Sequence, residues 1–167
     1  YFFHCADRIK EEFRFAAGVD RLASAFLDQA GLGDSPICSV HFRRGDYLSK
    51  PSYHTNLAGE YYNSALEMVQ TQIEGVKFIA FTDDLEWARN SLPKEFFIAD
   101  TSENENSHII DMCIMSKCPI HIIANSSFSW WPAWLSGSKA VIAPKKWFGP
   151  DGPKEWNSIY AQGWTLV

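Results

Sequence analysis

Short apolar runs alternate along this chain with stretches in which apolar residues recur every three or four positions. Residues 37–43 (ICSVHFR) are an apolar run with a polar end, and residues 76–82 (VKFIAFT) repeat the pattern. Residues 96–99, 120–124 and 140–143 are three more short runs of this kind. Each predicts a buried strand. Between them lie helical patterns. Residues 19–30 place Leu22, Phe26 and Leu27 on one face, and residues 59–74 do the same with Tyr62, Leu66, Val69 and Ile73. Residues 84–91 open with two acids, which suits a helix N-terminus. Residues 107–117 and 127–135 complete the set. Strand and helix in this alternation predict a parallel sheet covered on both sides, a Rossmann-like three-layer α/β domain. Residues 1–35 read as a helical lead-in, and residues 1–167 as one domain without internal repeats.

Composition narrows the picture. The chain has 167 residues, 46% of them hydrophobic, so it can bury a core of its own. A net charge of −5 argues against nucleic acid as a partner. No apolar run approaches the roughly 20 residues of a membrane helix. The apolar opening Tyr1–Phe3 is too short for a signal peptide. Cys5, Cys38, Cys113 and Cys118 form no CxxC pair. Cys113 and Cys118 fall on one predicted helix and its end, so buried thiols are expected rather than a zinc site.

In an open parallel sheet, ligands lie beyond the carboxyl ends of the strands. Three polar clusters occupy such ends. The first is HFRRGDY, His41 to Tyr47. Arg43 and Arg44 offer forked donors suited to a phosphate or diphosphate. Successive strand residues point to opposite faces, so one of the two should meet a ligand while the other anchors the loop, with Asp46 as a candidate partner. The second cluster is FTDD, Phe81 to Asp84. Its aspartates have three readings. One is a carboxylate that pairs with the N1 and N2 donors of guanine. Another is a metal site for a sugar-nucleotide diphosphate. The last is a helix N-cap. The third cluster is ANSSFSWWPAWL, Ala124 to Leu135. Asn125, Ser126, Ser127 and Phe128 lead into a helix whose free N–H groups make an anion site. Trp130 or Trp131 shares a helix face with Trp134, either to stack on a sugar or base or to anchor the helix. His41 can reach a ligand or fix the arginine loop, and His121, inside a predicted strand, reads as a satisfied core residue.

Taken in order, VHFRRGDYL, FTDD, IIDMCIMSKC and ANSSFSWWPAWL resemble glycosyltransferase family 11, which contains the α-1,2-fucosyltransferases. The resemblance implies a GT-B fold of two Rossmann-like halves, with this chain matching the C-terminal, donor-binding half. The GGLGNQ-type motif that opens the family's N-terminal half is not found in the sequence. The implied reaction moves L-fucose from GDP-β-L-fucose to the 2-hydroxyl of a galactose-containing glycan, with inversion and without a metal or other cofactor. Arg43 or Arg44 would hold the β-phosphate, Asp83 or Asp84 would face guanine, and Ser126, Ser127 and Phe128 would border the phosphates and fucose. His41 and Asn125 join them as donor-site residues. Arg43 and Arg44 would stabilise the leaving diphosphate. Asp46 is a candidate base, though an arginine-paired aspartate is a weak one. Two other readings stand beside this one: a non-catalytic GDP-sugar-binding half that works with a partner chain, and a metal-dependent glycosyltransferase using Asp83 and Asp84. A cytoplasmic location, at the inner face of the membrane, and a role in surface glycan synthesis are further family expectations. The sequence departs from the family's SWWGAWL block at Pro132, which is expected to fit a first helical turn.

Overall fold

The computed structural model describes residues 3–167. Tyr1 and Phe2 of the apolar opening therefore lie outside the described residues. Six parallel strands form one sheet in the order β3-β2-β1-β4-β5-β6. They are β1 (Ile37–Phe42), β2 (Lys77–Thr82), β3 (Phe96–Ile98), β4 (Ile120–Ile122), β5 (Val141–Ala143) and β6 (Thr165–Leu166). The chain starts at the centre, runs outward to β3, and crosses back to β4 on the other side of β1. The strand order thus reverses between β1 and β4, where such sheets open a crevice for ligands.

Helices α1 (Ala6–Glu12) and α2 (Ala17–Gln29) precede the sheet. Helices α3 (Gly59–Gln72), α4 (Leu85–Ser91), α5 (Ser107–Lys117) and α6 (Ser127–Leu135) connect its strands. The two-residue period of the strands divides the core. Cys38, Val40, Phe42, Phe78 and Ala80 face α3 and α4, while Ile79 and Phe81 face α2 and α5. A third cluster joins Ile123, Ala133, Val141 and Trp147 around α6. Tyr61 and Tyr62 of α3 bury their rings and still find acceptors. Tyr61 donates to the Ile123 carbonyl at 2.6 Å, and Tyr62 to the His41 carbonyl at 3.0 Å. A buried phenol needs such a partner.

The three-layer α/β reading holds, and α5 and α6 keep their expected limits. Three details differ. Leu22 is 48% exposed, and Val19 joins Phe26 and Leu27 in the packed stripe. Strand β6 was not expected. Pro132 lies in the second turn of α6, buried, with the helix continuing past it through Ser136 N–H to Pro132 carbonyl. Its ring fills core space in place of an amide donor. Among the described residues no helix is long and apolar enough to cross a membrane.

Candidate functional site

The β1 and β2 strands pair in register, with Phe42 opposite Thr82. That register sets the two residues after each strand side by side. Asp83 therefore meets both arginines: its Oδ2 lies 2.6 Å from Arg43 Nη1, and its Oδ1 accepts the Arg44 backbone N–H at 2.9 Å. Asp46 also binds the Arg43 guanidinium. Asp84 accepts the Trp87 N–H at 3.0 Å as the N-cap of α4, and takes Arg44 Nε at 3.2 Å. Its pKa is lowered, first by the Trp87 N–H and then by Arg44. The capping reading thus applies to Asp84, and each of the two carboxylates is held to an arginine. Among the described residues no group of three or more His, Cys, Asp or Glu side chains is arranged for a metal ion.

The two arginines diverge just past the end of β1. Arg44 turns toward α4, with its guanidinium 4.1 Å from the Trp87 ring centroid. Arg43 borders a cleft of about 290 Å³ at the carboxyl end of the sheet, together with His41, Asp83, His108, Asp111 and Phe128. Asp46 pairs with this cleft-facing arginine, not with the anchoring one. Arg43 Nε is buried and has no hydrogen-bond partner among the described residues. The Tyr47 ring supports the guanidinium at 5.0 Å and is itself stacked on His54 at 3.8 Å.

On the other side of the switch point, Asn125 to Phe128 carry the chain from β4 into α6. Ser126 is the N-cap and accepts the Phe128 N–H at 3.3 Å. Ser127 is exposed at the first turn. Asn125 is 2% exposed and donates to the carbonyls of Thr55 and Trp147, at 2.9 and 2.8 Å. It ties the loop after β1 and the loop after β5 beneath the site. His41 is buried against Ser129, 2.9 Å from its hydroxyl. Burial, and then the charge of Arg43, push the His41 pKa down to about 3. His41 is therefore a neutral hydrogen-bonding group at the back of the cleft. His121 is a satisfied core residue, between Ser39 at 2.8 Å and Ser136 at 3.0 Å.

The structure brings one further acid into this cleft. Asp111 on α5 accepts the Thr101 hydroxyl at 2.7 Å. Burial raises its pKa to about 6, against the opposing hydrogen bond from Thr101. The sequence carried a signal for it, because Asp111 interrupts the otherwise apolar stripe of Ile110, Cys113 and Ile114. A lone acid inside a buried helix stripe calls for a partner or a ligand.

The assembled cleft offers a guanidinium, a helix N-terminus and a half-buried carboxylate within one crevice. Such a set can bind a diphosphate at one end and a polar base edge at the other. Comparison with known proteins places the chain among glycosyltransferases. The O-antigen biosynthesis glycosyltransferase WbnK of Escherichia coli is 42% identical over 118 residues, covering 66% of this chain and 38% of that protein. An α-1,2-colitosyltransferase of Escherichia coli is 37% identical over 133 residues, or 73% of this chain and 46% of that protein. The human galactoside α-(1,2)-fucosyltransferase 1 is 26% identical over 84% of this chain and 41% of its own length. This chain thus spans less than half the length of these relatives. The crystal structure of a family 9 glycosyl transferase from Veillonella parvula shares the fold, with a TM-score of 0.55 at 16% identity, over 92% of this chain and 42% of that one. The description of glycosyl transferase family 11 matches residues 1–167, and the chain belongs to that family.

Proposed function

We propose that this chain is the donor-binding half of an inverting glycosyltransferase that moves L-fucose from GDP-β-L-fucose to the 2-hydroxyl of a galactoside. The observation that carries the reading is the cleft itself: Arg43, the α6 N-terminus and Asp111 surround one crevice at the sheet's switch point. The fucosyl- and colitosyltransferase relatives support a sugar nucleotide as the donor.

In this reading the diphosphate lies between Arg43 and the first turn of α6. The unpartnered Arg43 Nε is a donor that such an anion would satisfy. Asp83 and Asp46 hold the guanidinium in place. The base-reading role passes to Asp111, whose carboxylate faces the cleft with one oxygen on Thr101. An ionised carboxylate accepts the paired N1 and N2 donors of guanine, and adenine presents no such pair. The acceptor hydroxyl oxygen attacks the anomeric carbon and gives up its proton to a base or to solvent, the bond from that carbon to the diphosphate oxygen breaks, and its electron pair leaves with GDP. Arg43 and the α6 amides stabilise the charge that gathers on the diphosphate.

Calorimetric titration of the chain with GDP, UDP and ADP in the presence of a chelator tests this. GDP should bind selectively, and Asp111→Asn should remove the preference. Equal binding of the three nucleotides, or none by the folded chain, would overturn the donor assignment.

A further inference from the structure

Two carboxylates hold the Arg43 guanidinium by its edges. Asp83 takes Nη1 at 2.6 Å, Asp46 takes Nη2, and the buried Nε has no partner among the described residues. Such bonds run along the edges of the group and leave its flat faces for stacking. Tyr47 meets one of those faces, with the guanidinium carbon 5.0 Å from the ring centroid. The opposite face of the Tyr47 ring is covered by His54. The two ring centroids are 3.8 Å apart and the planes 13° from parallel. A ring that close fills one side of the phenol, so the cation takes the other. His54, Tyr47 and Arg43 thus form one column of flat groups.

The far end of this column is anchored to the loop after β5. His54 makes an isolated antiparallel bridge with Phe148. Beside it, the Tyr53 carbonyl accepts the Gly149 N–H at 2.8 Å, and the Ser52 carbonyl accepts the Asp151 N–H at 2.7 Å. The two segments lie so close that a Cβ on Gly149 would stand 2.5 Å from the Ser52 carbonyl oxygen. The His54 N–H is spent on the Lys50 carbonyl at 3.0 Å, and the Tyr53 ring meets the imidazole edge-on at 4.9 Å. His54 is therefore a fixed wall against which Tyr47 leans. Burial pushes the His54 pKa down. The stacked imidazole is then uncharged at neutral pH and does not compete with Arg43 for the π electrons of Tyr47. His54 does not itself border the nucleotide cleft.

We propose that His54 is a positioning residue for Arg43: it holds the Tyr47 ring flat against the guanidinium and so fixes the orientation in which the arginine meets a diphosphate. The inference rests on the reading that Arg43 binds the diphosphate of a nucleotide. A group held in its bound orientation loses less freedom when the ligand arrives.

The test compares His54→Phe, which keeps a flat ring, with His54→Leu, which keeps the bulk but loses the stacking face. Thermal melts establish that each variant is folded, and His54→Ala replaces His54→Leu if the latter is not. Calorimetry with GDP reads the consequence. His54→Leu should weaken GDP binding by about three- to fivefold, the worth of one partly exposed cation–π contact, and His54→Phe should recover most of it. In a Tyr47→Leu background, His54→Leu should cost nothing more, because the column is already broken. Equal losses in the two variants, no loss in either, or a loss that adds to that of Tyr47→Leu overturns the positioning role. NMR of the chain without nucleotide supplies a second arm, with the Arg43 Nε–H signal identified by its absence in Arg43→Lys. That signal should move in His54→Leu and keep its place in His54→Phe. Absent GDP binding overturns the nucleotide reading alone. The Arg43 signal then decides the positioning role, which falls if His54→Leu leaves the signal in place.

Discussion

Gly45 leaves open the space that the Asp83 carboxylate fills: a Cβ on Gly45 would lie 2.5 Å from Asp83 Oδ2. That oxygen is the one bonded to Arg43. Gly45→Ala should therefore act through Asp83, by pushing its carboxylate away from the arginine. We expect about a tenfold loss of GDP affinity and about 1–2 kcal/mol of stability, the scale of one charge-assisted hydrogen bond. In an Asp83→Ala background the same substitution should cost little, because the clash is gone. Urea unfolding and GDP titration of the two single variants and the double variant complete the cycle. Additive effects would show that Gly45 matters for some other reason.

Arg43 and Arg44 are neighbours with different duties. Arg43 borders the nucleotide cleft, whereas Arg44 lies on Trp87 and Asp84. On the proposed reading, Arg43→Ala should lower kcat for sugar transfer by about 10²–10³, the usual loss for a donor aimed at developing charge. Arg43→Lys should recover little, since a single ammonium cannot replace the fork. Arg44→Lys should instead lower stability by about 1 kcal/mol through the lost ring contact, with a much smaller effect on kcat. Equal kcat losses at both positions would remove the distinction.

These assignments show where the sequence was readable. Strands β1 and β2 were visible because six-residue apolar runs between polar ends have few other solutions. Helix α6 was visible because Ser126 is a capping residue before an aromatic run. Strand β6 was not, because Thr165–Leu166 is two exposed residues that pair only through backbone. The three clusters at the strand ends were legible as a site, but the partners of their charges were not. Asp83 and Asp84 are consecutive, and only the Phe42–Thr82 register decides that one bridges both arginines while the other caps a helix. Asp111 carried a signal as the acid that interrupts the apolar stripe of α5, but only the packing of α5 shows that it borders the cleft.

Acid stability should report three buried titratable groups. Burial and Arg43 hold the His41 pKa at about 3, and burial holds that of His121 at about 4. Both are neutral in the native chain but take up protons below about pH 6.5 when unfolded. Their contribution is complete above that pH and is lost as pH falls toward 4, at up to about 1.4 kcal/mol per unit for each. Asp111 has the opposite sign. Its raised pKa of about 6 means that the native chain binds its proton first, so stability is regained between pH 6 and about 4. The parent chain should thus lose about one histidine's worth per unit in that window. Asp111→Asn should lose about twice as much, measured by urea unfolding from pH 7 to 4.5. An unchanged slope would mean that Asp111 titrates as an exposed acid.

Asn125 provides the sharpest separation of a structural from a ligand-binding role. Its side-chain amide nitrogen serves two carbonyls, those of Thr55 and Trp147, while its backbone carbonyl accepts the Tyr47 hydroxyl at 3.3 Å. One side chain thus joins the loop after β1 to the loop after β5. Asn125→Ala leaves the two carbonyls without this donor and should cost about 2–4 kcal/mol. Asn125→Asp should be worse at pH 8, because an ionised carboxylate would face two carbonyl dipoles. Protonation restores one donor, so the gap between the two variants should close as pH falls toward 5. Comparing the variants at each pH cancels the histidine effects they share. A residue needed only for its polarity would tolerate aspartate better than alanine at pH 8, and that order would contradict the role of Asn125 as the donor that joins the two loops.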